Sequence, residues 1–323
     1  MRLTIIILLL ATPALATDWY VKQGQTGNDD GTSYADAWED LGDVVWGGAG
    51  VVAGDTLYIC GLHLRTFTSG SQWEIIGPVT SGTSDTNRVT IRGDYPGDPG
   101  IVWASGILSE NAWVDEGDNT WSQEYTPSIQ SNWFFEDVTA ISWTVLTNTG
   151  SEAACKALAG SYYNDGDNDK LYVHRSDNAE PSGDITANRL GYFFDLSNAE
   201  YVTFKNLQGY GDSAHNLFIN GIDDDDASYI KFDGVTFWYA SAINMRPGND
   251  NIEFYDCDIA WMKNGLDFSE GGGDGDGSTT PSNCIISGNT FHDIGVTFTD
   301  VDAHAVSFQG GRNNIIEKNE MYN

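Results

Sequence analysis

An all-β solenoid is the fold class this sequence predicts, and three observations carry it. A short pattern returns through the last third: YVTFKNLQGY (201–210), YIKFDGVTFWY (229–239), NIEFYDCDIAW (251–261), NCIISGNTFHD (283–293) and NNIIEKNEMYN (313–323). Aligned on Phe204, Phe232, Phe254, Ile286 and Ile316, the copies recur at spacings of 28, 22, 32 and 30 residues. Units of that length cannot bury their own apolar faces and must stack on one another. The apolar residues alternate in short runs with no helical period, so the stacked units are strands. Glycine (37 residues) and aromatics (12%) are abundant, as suits short strands joined by tight turns.

The chain opens with Arg2, an apolar run from Leu3 to Leu10, and Ala14-Leu15-Ala16. A positive end, a short apolar core and small residues at the end are the marks of a cleaved export signal covering 1–16. The run is too short to cross about 30 Å of hydrocarbon. No later segment is apolar enough to span a membrane, so the mature chain is expected to be secreted, without a membrane span. Residues 17–108 read as the N-terminal cap and first coils. Trp19 to Val21 alternates like a strand, and Ala37, Leu41, Val44 and Val45 fall at helical spacing within 35–45. A short amphipathic helix there would cover the open end of the solenoid. Thr56 to Cys60 and 88–103 supply the next strands. Between 109 and 188 the repeat is lost, and strand-like pieces at 133–135, 140–146 and 170–174 predict a β-rich insertion. Its tryptophans, Trp113, Trp121, Trp133 and Trp143, are either the core of that insertion or platforms for sugar rings. The coils resume at 189 and run to 323, where a new unit has just begun. That position predicts a chain broken off inside its repeat.

The formal net charge is −32, with 47 acidic residues against 15 Lys plus Arg. Such a surface excludes nucleic acid as a partner, because phosphates are held by Lys and Arg. The four cysteines, Cys60, Cys155, Cys257 and Cys284, match no metal-ligand spacing. In the repeat register Cys257 stacks with Leu207 and Val235, which makes it a buried thiol. No phosphate loop, dinucleotide fingerprint or nucleophile elbow is present, so no organic cofactor is expected.

The order WYVKQG…DG…AW, then AGDTLYICG (53–61), then RVTIRGDYPGDPGIV (88–102) resembles right-handed parallel β-helix proteins of the pectate-lyase-like superfamily. The C-terminal repeats are similar to the parallel β-helix repeats of that superfamily. The resemblance implies a right-handed parallel β-helix and an extracellular polysaccharide as partner. It implies an activity among polysaccharide lyases and glycoside hydrolases, or a non-catalytic surface or adhesin-like role. Fold alone does not choose among these.

Each of the first four repeats is answered by a second short run: HNLFI (215–219), SAINM (241–245), NGLDF (264–268) and HAVSF (304–308). Alternation turns Leu266 and Phe268 inward and Asp267 outward. The same rule sets Asn244, Asp267 and Ser307 in one outward row, with Gln309 in the next row and Lys263 upstream on the same face. Arg246 would lie diagonally beside Asp267. The resemblance implies that an active groove runs along such a face. A lyase needs a cationic base for the proton beside a uronate carboxylate, which selects Arg246 and Lys263. An inverting hydrolase needs two carboxyls about 6.5–9.5 Å apart, which selects Asp267 with Asp300 or Asp302. His304, two residues after Asp302, is a candidate acid or base. Asn244, Ser307 and Gln309 are candidate substrate contacts. The loop SEGGGDGDGS (269–278) alternates carboxylates with glycines, so Glu270, Asp274 and Asp276 form a candidate Ca²⁺ site. The alternatives are a solvated ladder of charges for the outward row, a hydrogen bond to a turn for His304, and a flexible acidic turn for the 269–278 loop.

Overall fold

The computed structural model describes residues 16–64, 79–103, 105–107, 112–125, 133–138, 142–181, 185–188, 194–211, 219–220, 227–240, 242–245, 248–268, 281–295 and 303–322. The chain is a right-handed parallel β-helix whose coils stack strand on strand. Among the described residues the first sheet has eight parallel strands, from Asp18–Lys22 through Thr56–Cys60, Val89–Arg92, Glu200–Lys205, Ser228–Asp233, Glu253–Tyr255 and Ile285–Ser287 to Ile315–Glu317. Its register aligns Trp19, Leu57, Ile91, Phe204, Phe232, Phe254, Ile286 and Ile316 in one inward column. This is the column on which the repeats align. Phe204, Phe232 and Phe254 are at most 1% exposed and stack at 5.3 and 4.7 Å. Those separations approach the strand spacing of about 4.8 Å, so each ring rests on the one below.

Each repeat copy that reads as one strand is two. A corner of two residues follows the first strand, and its first residue sits in the left-handed region: Asn206 (φ 49), Gly234 (66), Asp256 (51), Gly288 (74) and Lys318 (57). Asn, Asp and Gly adopt that conformation most cheaply. The next residue turns inward, giving a column of Leu207, Val235, Cys257 and Asn289, all at most 1% exposed. Buried Asn289 is satisfied. Its Oδ1 accepts from Cys257 N at 2.8 Å and its Nδ2 donates to Phe254 O at 3.0 Å. Asn319 repeats this one coil on, accepting from Asn289 N and donating to Ile286 O. The second sheet then contains Leu62–Leu64, Ile101–Trp103, Gln208–Tyr210, Thr236–Trp238, Asp258–Ala260, Thr290–His292 and Glu320–Tyr322. A third sheet holds Ile243–Met245, Leu266–Phe268 and Val306–Phe308, all parallel. Phe194–Asp195 pairs with Ile219–Asn220 as a separate two-stranded sheet. All four cysteines are buried and free.

The helix expected at 35–45 is absent. A three-residue 3-10 turn, Leu41–Asp43, takes its place, capped by Asp40, whose carboxylate accepts from Gly42 N at 2.8 Å. The backbone ahead of it is committed elsewhere. Lys22 N donates to Trp38 O at 2.9 Å and Trp38 N to Tyr20 O at 3.0 Å, so this segment covers the free edge of the first strand. Ala37, Leu41 and Val44, which carried the helical pattern, are still buried, while Val45 is exposed.

The consecutive strands Val89–Arg92 and Glu200–Lys205 pair directly, and much of the intervening chain forms two further sheets. One has five strands, mostly antiparallel, and the other four. A six-residue helix, Glu152–Ala157, packs beside the first; sequence periodicity did not reveal it. Phe134 enters a core with Tyr162, Leu171 and Ile185, while its neighbours Trp133 and Phe135 pack on Trp103, Tyr210 and Tyr239 of the solenoid. Alternation along one strand thus joins the two bodies of packing. Trp133 and Trp143 belong to that joint core.

Candidate functional site

The third sheet brings together the row read from the sequence. Register pairs Asn244 with Asp267 and Asp267 with Ser307. The flanking Leu266 and Phe268 are fully buried, and Phe268 stacks on Phe308 at 4.2 Å. The row therefore faces away from the core, with Asn244 buried and Asp267 and Ser307 half-buried. Oδ1 of Asp267 is shielded from solvent and makes no hydrogen bond to the described residues. A carboxylate oxygen held so costs free energy unless a ligand or substrate group meets it.

Gly265 places the remaining candidates. A Cβ on it would lie 2.2 Å from Ala305 O, so only glycine allows the two strands to approach there. Its N–H donates to His304 O at 2.8 Å, which fixes His304 beside the start of the row. Lys263 is half-buried in the turn before Gly265, and exposed Gln309 follows Phe308, its N–H donating to Phe268 O at 2.9 Å. His304 also lines a cavity of about 290 Å³ with Phe291, Ile294, Ala303, Ala305, Met321 and Tyr322. Phe291 and Met321 share the inward column of the second sheet, but Met321 and Tyr322 are more than half exposed, so the cavity is open to solvent, and none of Asn244, Asp267 and Ser307 lines it. Arg246, Asp300, Asp302 and the loop residues Glu270, Asp274 and Asp276 lie outside the described residues. So does the expected export signal, apart from Ala16. Among the described residues no cluster of three or more metal-ligating side chains occurs, and no helix is long and apolar enough to cross a membrane.

One constellation escaped the sequence reading. On the outward face of the second sheet, His292 Nε2 lies 3.1 Å from Asp258 Oδ1 and His292 Nδ1 lies 2.8 Å from Asp293 Oδ2. Trp261 meets the imidazole edge-on at 5.1 Å and Tyr322 stacks on it at 5.4 Å. Asp258 and His292 are 34 residues apart, and only the two-residue corner puts them on one face. A repeat read as a single strand hides that juxtaposition. Nearby Tyr239 has its phenol raised above the ordinary range, mainly by burial, with the charge of Asp293 adding to it.

With this geometry in place, comparison with solved structures shows the fold. A structure described as a glycoside hydrolase superposes with a TM-score of 0.54 at 10% identity, covering 87% of this chain and 74% of its own. A complex of XylC with xylose gives 0.49 at 11% identity, covering 94% and 68%. A lacto-N-biosidase of family GH136 from Eubacterium ramulus gives 0.38 at 9% identity, covering 95% and 56%. No protein-family model and no curated protein matches the chain. The architecture is shared with the first of these; at such identities the likeness is one of fold.

Proposed function

We propose that this chain is an exported, polysaccharide-acting β-helix protein of the pectate-lyase-like kind, and that it hydrolyses glycosidic bonds at the Asn244–Asp267–Ser307 row. The observation that carries the reading is the enclosed, hydrogen-bond-free Oδ1 of Asp267 in the middle of an outward polar row. A carboxyl so placed is suited to hold or deliver a proton at a glycosidic oxygen. Asn244 and Ser307, one strand to either side, offer hydrogen bonds to neighbouring sugar hydroxyls. Asp300 and Asp302 are the candidates for the second carboxyl that hydrolysis requires. Lys263 and Arg246 would orient substrate. Calcium at Glu270, Asp274 and Asp276 belongs to the same proposal, as a support for the loop after the catalytic strand.

Hydrolysis is favoured over elimination by charge. A lyase acts on uronate chains, and a protein with 47 acidic residues and 15 basic ones repels such polymers. A panel of neutral and uronate-containing polysaccharides separates the outcomes. The expected result is new reducing ends on a neutral polymer without absorbance from unsaturated sugars. Unsaturated product would show a lyase. Glycan binding without turnover on every polymer would show a non-catalytic surface protein.

A further inference from the structure

We propose that the outward face of the second sheet carries a separate binding site for a neutral sugar, formed by Asp258, His292, Asp293 and Trp261. The site is built by register. His292 pairs across the coils with Ala260, which has no side chain beyond Cβ, so the imidazole is free to lean over it. That lean brings Nε2 to Asp258, two positions back on the same face. Asp293 then enters the left-handed region (φ 51), and its carboxylate folds back onto Nδ1.

Both ring nitrogens are thereby occupied, which fixes the ring plane. His292 is a strut: its side chain is 13% exposed, against 37% for Asp258 and 33% for Asp293. The two carboxylates flank the imidazole and keep acceptor sites open to solvent. Beside them, half-buried Trp261 stacks on Tyr239 at 5.2 Å and meets Trp238 edge-on at 4.8 Å. Trp143 of the inserted stretch packs against Trp238 at 6.4 Å, behind this platform's edge-on pair. Acceptors that take paired hydroxyls, next to an aromatic surface that takes a C–H face, are what a pyranose needs.

The charge selects the sugar. Among the described residues, the only ion pairs of Asp258 and Asp293 are with His292. Two carboxylates on one imidazole leave no positive surplus for a uronate or a sulfate, so an anionic sugar is repelled. The aromatic platform here comes from the solenoid and not from Trp133 of the inserted sheets, which is buried.

The test is calorimetric binding of neutral oligosaccharides of xylose, glucose and galactose, with an oligogalacturonate as the charged contrast. The proteins compared are the wild type, Asp258→Asn, Asp293→Asn, Trp261→Ala and Asp267→Asn. The expected result is binding of a neutral oligosaccharide, weakened at least tenfold in both Asp258→Asn and Asp293→Asn. Folding of each variant is checked by melting temperature, and Asp258→Asn preserves shape should Trp261→Ala unfold. Three results overturn the proposal: binding to none of the neutral probes, preference for the oligogalacturonate, or loss of binding only in Asp267→Asn. The last would support the third-sheet site while removing this one, so the two readings fail separately.

Discussion

His63 faces into the first coils, in register with Val102 of the inward column. It is 2% exposed, and neither ring nitrogen makes a well-formed hydrogen bond. Burial pushes its pKa from 6.5 down to about 4, with weaker opposite pulls from Asp40, the Cys60 and Val21 backbone, and Asp98. The folded state therefore binds fewer protons than the unfolded state between those values. Stability is whole above pH 6.5 and declines as pH falls toward 4, by about 3 kcal/mol at 1.36 kcal/mol per pKa unit. Urea unfolding at pH 7 and pH 4.5 should show this loss in the wild type and a smaller one in His63→Leu. Equal pH dependence in the two would contradict the assignment. Asp55 shows a different fate for a motif residue. Its carboxylate is 3% exposed and accepts from Thr17 N, Val52 N and Trp19 Nε1 at 2.8–3.0 Å. The AGDTLYICG motif is thus legible as structure: Gly54 (φ 95) makes the turn and Asp55 ties the first strand to the second.

At the scale of the element, the inward phenylalanine column and the asparagine corner do the stacking. Phe232→Ala removes a ring held between two others and should cost about 3–5 kcal/mol, the usual cost of truncating a buried phenylalanine. Asn289→Ala strands the Cys257 N–H and the Phe254 carbonyl, and should cost about 1–3 kcal/mol. Chemical denaturation measures both, and a loss below 1 kcal/mol at Phe232 would contradict the stacked register. The column was readable because aromatic and branched residues recur at one position per coil. The corners were not. In YVTFKNLQGY the inward positions Val202, Phe204 and Leu207 shift phase by one at Asn206, and no proline or glycine marks the break. The third-sheet row, by contrast, lies on strands where Leu266-Asp267-Phe268 alternates cleanly, so its register followed from the sequence. The helix at 35–45 failed because Ala37, Leu41 and Val44 are buried by a segment whose backbone pairs along the edge of the first strand.

On the scale of the whole molecule, the chain leaves the solenoid and returns, and named side chains hold the two parts together. Arg88 Nε donates to Thr203 Oγ1 at 2.8 Å and its Nη2 to Val202 O at 2.9 Å. Asp94, paired with Arg92, also accepts from Asn206 at 2.7 Å. The RVTIRGDYPGDPGIV motif therefore staples coils separated by more than 100 residues in sequence. Charge acts over the same scale. With a net charge of −32, self-repulsion outweighs the few half-exposed ion pairs such as Lys22–Asp98 and Lys205–Asp233, each contributing at most about 1 kcal/mol. Salt screens both, and the melting temperature should rise between 20 mM and 500 mM NaCl. A fall would mean that the ion pairs dominate.

The functional reading rests most heavily on one carboxyl, and one rate tests it. On whichever polymer the wild type cleaves, kcat/KM of Asp267→Asn should fall at least about 100-fold, the usual effect of losing a general acid or base, with the melting temperature held. A rate within twofold of wild type, in a folded Asp267→Asn variant, would show that the Asn244–Asp267–Ser307 row is not where the bond is broken.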